Sequence, residues 1–193
     1  MPALESLKRH LRRGRVYRRV ELAQWSKSVD RDLHALVQEG TLVKLRPGMY
    51  YRPQESAFGP VPASERELVR SFLGDDKFLF TTPNAYNHLG LGTTQLYNKT
   101  LVYNHKRHGA FNLGGRVFEF RVKTAFPKTL SPEFLLVDLV NNLDTLAEDR
   151  EAVLAHVRKK VRSMDPQKLK RAVNRYSGVR ARKFFAQVLA NAD

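Results

Sequence analysis

The 193 residues include no cysteine, 42% apolar side chains and a formal charge of +15. The length admits one large domain or two small ones, ordinary apolar content argues against wholesale disorder, and the missing cysteines exclude disulfide frameworks and thiolate zinc sites. Charges interrupt the leading leucines (Leu4, Leu7, Leu11) and no apolar run reaches the roughly twenty residues of a membrane span, so neither signal peptide nor transmembrane segment is expected, and the expected compartment is the cytoplasm.

The charge is unevenly distributed. Residues 1–53 hold 12 Lys and Arg against 5 Asp and Glu, residues 54–149 hold 10 against 11, and residues 150–193 hold 12 against 3. Two basic ends around a neutral middle suit a chain that neutralises phosphates.

In chain order, Leu4, Leu7 and Leu11 give a first helix its apolar stripe, and Gly14 stops it. Val16 and Tyr17 read as extended. A short second helix is expected over about Val20–Trp25, with Val20, Leu22 and Ala23 available for burial. The third helix is the best marked: Ser28 suits the N-cap, Asp30 and Asp32 complement the positive helix start, and Gly40 ends it. Val29, Leu33, Leu36 and Val37 recur on one face and should be buried. The opposite stripe carries Lys27, Arg31, His34 and Gln38, side chains able to reach base edges or phosphates, with Ser28 at its start. Residues 42–46 and 49–52 then alternate around Pro47-Gly48 as a β-hairpin, on which Lys44, Arg46 and Arg52 are expected to contact sugar-phosphate. Helix, helix, turn, helix and basic hairpin predict a winged helix-turn-helix, with Arg31 the first choice for reading a base.

Gly59, Pro60 and Pro62 mark residues 54–63 as a linker. Ser64 with Glu67 opens a helix to about Leu73, and Lys77–Thr81 reads as a strand. Thr82-Pro83 starts a helix to Leu89, Thr100–His105 and Arg116–Lys123 read as strands, and Pro132 begins another helix. Three closing helices are expected at about 148–163, 166–176 and 179–190. They place Arg158, Lys159, Arg162, Lys168, Arg171, Arg175, Arg180 and Lys183 on outer faces, as a candidate second surface for nucleic acid or for a toxin-related partner. The predicted class is α+β: a winged helix-turn-helix (1–53), a linker (54–63), then an α/β C-terminal domain (64–193) ending in a helical bundle, with the α/β part at about 64–143 and the basic helices at about 148–190.

Catalytic signatures are weak. No P-loop, GxSxG or HExxH is present, and the His105/His108 pair is flanked by cations that repel a metal. Glu119-Phe-Arg121 faintly resembles a nuclease core but has arginine where lysine is usual, and Gly90, Gly92, Thr93 and Thr94 make only a weak phosphate loop. No catalytic, cofactor-binding or metal residue is therefore assigned, and a non-enzyme is expected.

The stretches Tyr17–Ala23, Asp30–Gly40 and Lys44–Pro53 resemble the N-terminal domain of AbiEi-type antitoxins of type IV toxin–antitoxin (abortive infection) systems. Pro83–Gln95 is similar to a Gly-Leu-Thr-Thr-Gln-bearing segment in a related group, from which the extra Gly92 departs. The resemblance implies a bacterial regulator that binds inverted repeats in its own promoter and represses it. It also implies antagonism of a nucleotidyltransferase-type toxin, which in type IV systems does not require a stable complex. Other classes compatible with a winged domain are a nucleic-acid-processing enzyme and a protein–protein adaptor.

Overall fold

A computed structural model of the chain describes residues 2–91 and 96–190. The chain divides into two compact units, Met1–Lys77 with Ala110–Phe118, and Phe78–Gly109 with Glu119–Asp193. The architecture is mixed α+β with a helical C-terminal region.

Unit one begins with α1 (Pro2–His10), β1 (Arg15–Arg18), α2 (Arg19–Leu22), α3 (Val29–Gln38), β2 (Val43–Arg46) and β3 (Met49–Arg52). The three strands form one sheet in the order β1-β3-β2, and β3 runs antiparallel to both neighbours. The apolar stripes meet in one core: Leu7 and Leu11 of the first segment, Leu22 of α2, Val29, Leu33 and Leu36 of α3, and Tyr17, Leu42 and Tyr50 from the sheet side. Truncating any of these leucines to alanine should cost about 2–5 kcal/mol, since each leaves a cavity among close-packed neighbours. Gly48 turns the β2–β3 hairpin at φ +77°, a left-handed backbone that a side chain disfavours.

Three expectations for this unit need correction. In the second helix only Leu22 is buried; Val20 is 56% exposed and Ala23 is exposed, because α2 is a single turn with one inward position. Residues 54–63 are largely a hairpin, β4 (Gln54–Ser56) paired with β5 (Gly59–Val61), where Gly and Pro suggested a linker. The Tyr51 hydroxyl donates to the Val61 carbonyl and ties that hairpin to β3. The boundary also moves: α4 (Glu65–Leu73) groups with unit one rather than with the C-terminal part. The Ser64 hydroxyl accepts from the Glu67 amide at its start, and Gly74 ends it in left-handed conformation, where the Arg18 guanidinium would meet any added Cβ at 2.6 Å.

Strands β6 (Phe78–Thr81), β7 (Thr100–Asn104), β8 (Gly109–Leu113) and β9 (Arg116–Val122) are hydrogen-bonded in the order β6-β7-β9-β8. The weakly patterned β8 was not expected from sequence. Between β6 and β7 the segment Pro83–Leu89 winds as a 3-10 helix capped by Thr82, tighter than the expected α-helix. Residues 92–95 of the glycine-threonine motif lie outside the described residues.

Unit two is closed by α5 (Pro132–Asn142), α6 (Arg150–Val161), α7 (Pro166–Tyr176) and α8 (Val179–Ala190). Every residue from Phe134 to Leu139 of α5 is buried, which is why this helix shows little amphipathic pattern. Leu136, Val137 and Leu139 pack with Val153, Val157 and Val161 of α6, Leu169 and Val173 of α7, and Ala181 and Phe185 of α8. Side chains cap three of these helices: Ser131 accepts from the Phe134 amide, Asp149 from that of Ala152, and Asp165 from those of Gln167 and Lys168. Among the described residues no helix is long and apolar enough to cross a membrane.

Candidate nucleic-acid interface

The packing of α3 decides which side chains face outward. Because Val29, Leu33 and Leu36 are buried, helical geometry turns Arg31, His34 and Gln38 to the opposite side, where all three are exposed together with Lys27 before the helix. The Arg31 side chain is 77% exposed, and it pairs with the Asp32 carboxylate at 3.7 Å. Ser28 is half-buried; its hydroxyl makes no capping bond, and its amide donates to the Ser26 hydroxyl.

Both acids at the start of α3 are dealt with locally. The Arg19 guanidinium grips Asp30 through two hydrogen bonds of 2.6 and 2.5 Å and holds its carboxyl below the usual range. Asp32 is buried and accepts a 2.6 Å bond from the Ser26 hydroxyl. Negative charge beside the outward stripe is thus compensated in one case and covered in the other. Ser26 escaped the sequence reading, although its place in the polar turn before Ser28 is the signal for it.

The hairpin cations divide. Lys44 is exposed, but Arg46 and Arg52, expected at sugar-phosphate, are engaged inside unit one. The pairing of β2 with β3 shifts between Lys44 and Arg46, so the two side chains no longer share a face. The Arg46 guanidinium lies 4.8 Å from the centre of the Phe72 ring and 5.9 Å from that of Phe111, and its buried Nη1 has no hydrogen-bond partner among the described residues. Arg52 donates through Nη1 to the Leu11 carbonyl at 2.5 Å, closing the last turn after α1. Local alternation could not reveal a partner 41 residues away in sequence.

In unit two, Arg158, Lys159, Arg162, Lys168, Arg171, Arg175, Arg180 and Lys183 are all exposed, as expected. Arg180 pairs with Asp144 at 2.6 Å, while Arg158 and Arg175 lie against the rings of Phe184 and Tyr176. Arg162, Met164, Lys170 and Leu189 are among the residues that line a cleft of about 480 Å³.

The most polar interior site is one that sequence reasoning missed. Asp138 of α5 is fully buried and accepts from the Tyr86 hydroxyl (2.8 Å), the Tyr103 hydroxyl (2.7 Å) and the Lys123 ammonium (2.6 Å). Asn142 donates to both tyrosine oxygens. Burial first, then the adjacent carboxylate, pushes both phenol pKa values far up, so the hydroxyls stay protonated and act as donors. A lone Asp within the apolar run 134–140 was the available signal. With Asp138, Tyr86 and Tyr103 buried and bonded to one another, the network reads as a structural clasp. Glu119 is held by Arg121 through bonds of 2.9 and 2.7 Å, and His105 stacks on Phe126, so neither forms a reactive constellation.

No protein-family model matches the chain, and no curated protein matches it significantly in sequence. Among solved structures it is similar to the Rv2827c protein of Mycobacterium tuberculosis, with a TM-score of 0.53 and 16% identity, over 98% of this chain and 75% of that one. At that identity the likeness speaks for fold alone.

Proposed function

We propose that residues 1–53 are a winged helix-turn-helix that binds duplex DNA through α3, and that the chain is a transcriptional regulator. One observation carries the reading: the side of α3 away from the core presents Lys27, Arg31, His34 and Gln38, while the neighbouring Asp30 and Asp32 are compensated or covered. The element order and the β1-β3-β2 sheet support this reading. In this arrangement α3 enters the major groove, Arg31 faces a guanine edge, and Lys44 meets the backbone. Arg46 and Arg52 support the hairpin from within.

By its sequence resemblance to AbiEi-type antitoxins, the regulator represses its own operon and counteracts a nucleotidyltransferase-type toxin. The test titrates the full chain against a labelled duplex from its own upstream region and against a scrambled duplex, over a salt series. Preference for the upstream duplex should be strong for the parent and reduced for Arg31→Ala. Equal affinity for both duplexes in the parent rejects the reading. For the antitoxin role, co-expression with the neighbouring toxin gene should rescue growth, and Arg31→Ala should rescue equally. Rescue lost together with DNA preference would reject a division of labour.

A further inference from the structure

The outer faces of α6–α8 carry more positive charge than the fold engages: Arg180 pairs with Asp144, and Arg158 and Arg175 lie against rings, while Lys159, Lys168, Arg171 and Lys183 are exposed. Residues 150–193 hold 12 Lys and Arg against 3 Asp and Glu. One of those acids, Asp165, is engaged in capping α7, where the Gln167 and Lys168 amides hold its carboxyl below the usual range. On α7 the core side is Leu169, Ala172 and Val173, so Lys168, Arg171 and Arg175 fall in one exposed line about 10 Å long, given 1.5 Å of rise per residue. No carboxylate among the described residues forms a close salt bridge with any of the three, although the Asp165 carboxylate attracts Lys168 and Arg171 through space. Arg162, the C-cap of α6, lines the same cleft as Lys170 of α7. Arg158 is steadied against Phe184, 5.4 Å from its ring centre.

We propose that this helical surface of unit two is a second binding surface, for the phosphate backbone of duplex DNA. Charge complementarity selects a polyanion: cations that far outnumber the acids beside them, held on helices, gain by releasing the counterions of a dense phosphate array. A duplex is favoured over a single strand because single-strand grooves stack bases on several rings, whereas Phe184, Phe185 and Tyr176 are all at least half-buried and His156 alone is an exposed ring on α6–α8. Phosphate contacts carry no sequence information, so this surface supplies affinity and salt dependence while α3 supplies preference. The choice of DNA over RNA rests on the function proposed for α3.

The test uses the full chain and the triple variant Lys168→Gln, Arg171→Gln, Arg175→Gln. Affinities for the upstream duplex, a scrambled DNA duplex, an RNA duplex and a single strand are measured across a salt series, with circular dichroism confirming the fold. The triple variant should lose affinity for both DNA duplexes by the same factor, lower the salt slope by about 2–3, and keep the ratio between the two duplexes. The charge-keeping variant Lys168→Arg, Arg171→Lys, Arg175→Lys should restore the parental slope. An unchanged slope in a folded triple variant overturns the proposal, as does a loss confined to the RNA duplex or the single strand. If the parent shows no preference for its upstream duplex but the triple variant still lowers the slope, the α3 reading fails and this one stands.

Discussion

The two basic regions use their cations in opposite ways. Between residues 15 and 52 most arginines are engaged by the fold: Arg18 lies against Gly74, Arg19 holds Asp30, Arg46 lies over Phe72, and Arg52 closes the end of α1. Lys27, Arg31 and Lys44, with Arg15 beside the Tyr17 ring, are left as outward cations there. On α6–α8 the proportions reverse, since packing is done by Leu, Val, Ala and Phe and the cations mostly face outward. Charge count alone would rank the C-terminal helices first as a specific interface. Under the proposed function, reading falls to the sparser set, because an arginine on a helix placed in a groove can discriminate, and a field of cations can only attract.

The largest effect that would sharpen this contrast lies in neither basic region. Asp138→Ala leaves the Lys123 ammonium and two tyrosine hydroxyls without their shared acceptor, and should destabilise unit two by about 3–5 kcal/mol in denaturant unfolding. Asp138→Asn, which keeps an acceptor and loses the charge, should fall between that variant and the parent. Equal stability of Asp138→Ala and the parent would show that the clasp contributes nothing.

Next come the engaged arginines. Arg52→Ala should lower stability by about 1–3 kcal/mol, since the carbonyls after α1 lose their donor. Arg46→Met should leave stability level or raised, because it removes a buried nitrogen without a partner and keeps the packing on Phe72. A pure loss of DNA affinity without loss of stability in Arg52→Ala would return that residue to the DNA surface.

Sequence patterns revealed the parts of this molecule that are fixed within a few residues. Ser64 with Glu67 located the start of α4 and Pro132 that of α5, since both signals are local chemistry, and the i, i+4, i+7 spacing of Val29, Leu33 and Leu36 oriented α3. What stayed hidden depends on distant partners. The roles of Arg46 and Arg52 follow from a strand irregularity and from α1, and Asp138 becomes intelligible only once Tyr86, Tyr103 and Lys123 surround it. Strand β8 was hidden because Gly109 and Asn112 dilute its alternation, and the β4–β5 hairpin because Gly59, Pro60 and Pro62 mimic a linker.

Arg31→Ala comes third. Stability should be unaffected, because the side chain is exposed and its nearest acid is 3.7 Å away, while affinity for the upstream duplex should fall by about 1–3 kcal/mol. Isothermal titration together with thermal unfolding separates the two readouts. Stability falling in step with affinity would make Arg31 another engaged arginine and dissolve the contrast between the regions.

The smallest effect concerns the pair beside that face. If Arg19 acts by cancelling Asp30, then Arg19→Ala exposes a carboxylate near the DNA and weakens binding to every duplex a few-fold, and adding Asp30→Asn restores it. No recovery in the double variant would mean that Arg19 itself meets phosphate. Acid supplies an independent check. Because the folded pKa of Asp30 is depressed below its ordinary 3.8, its contribution to stability is present above that value and fades as pH falls through the lowered one. The melting temperatures of the parent and Arg19→Ala should therefore differ slightly at neutral pH and converge in strong acid. The difference is small because both side chains are well exposed and water screens the pair. A gap that persists in acid would assign the Arg19 contribution to packing instead of charge.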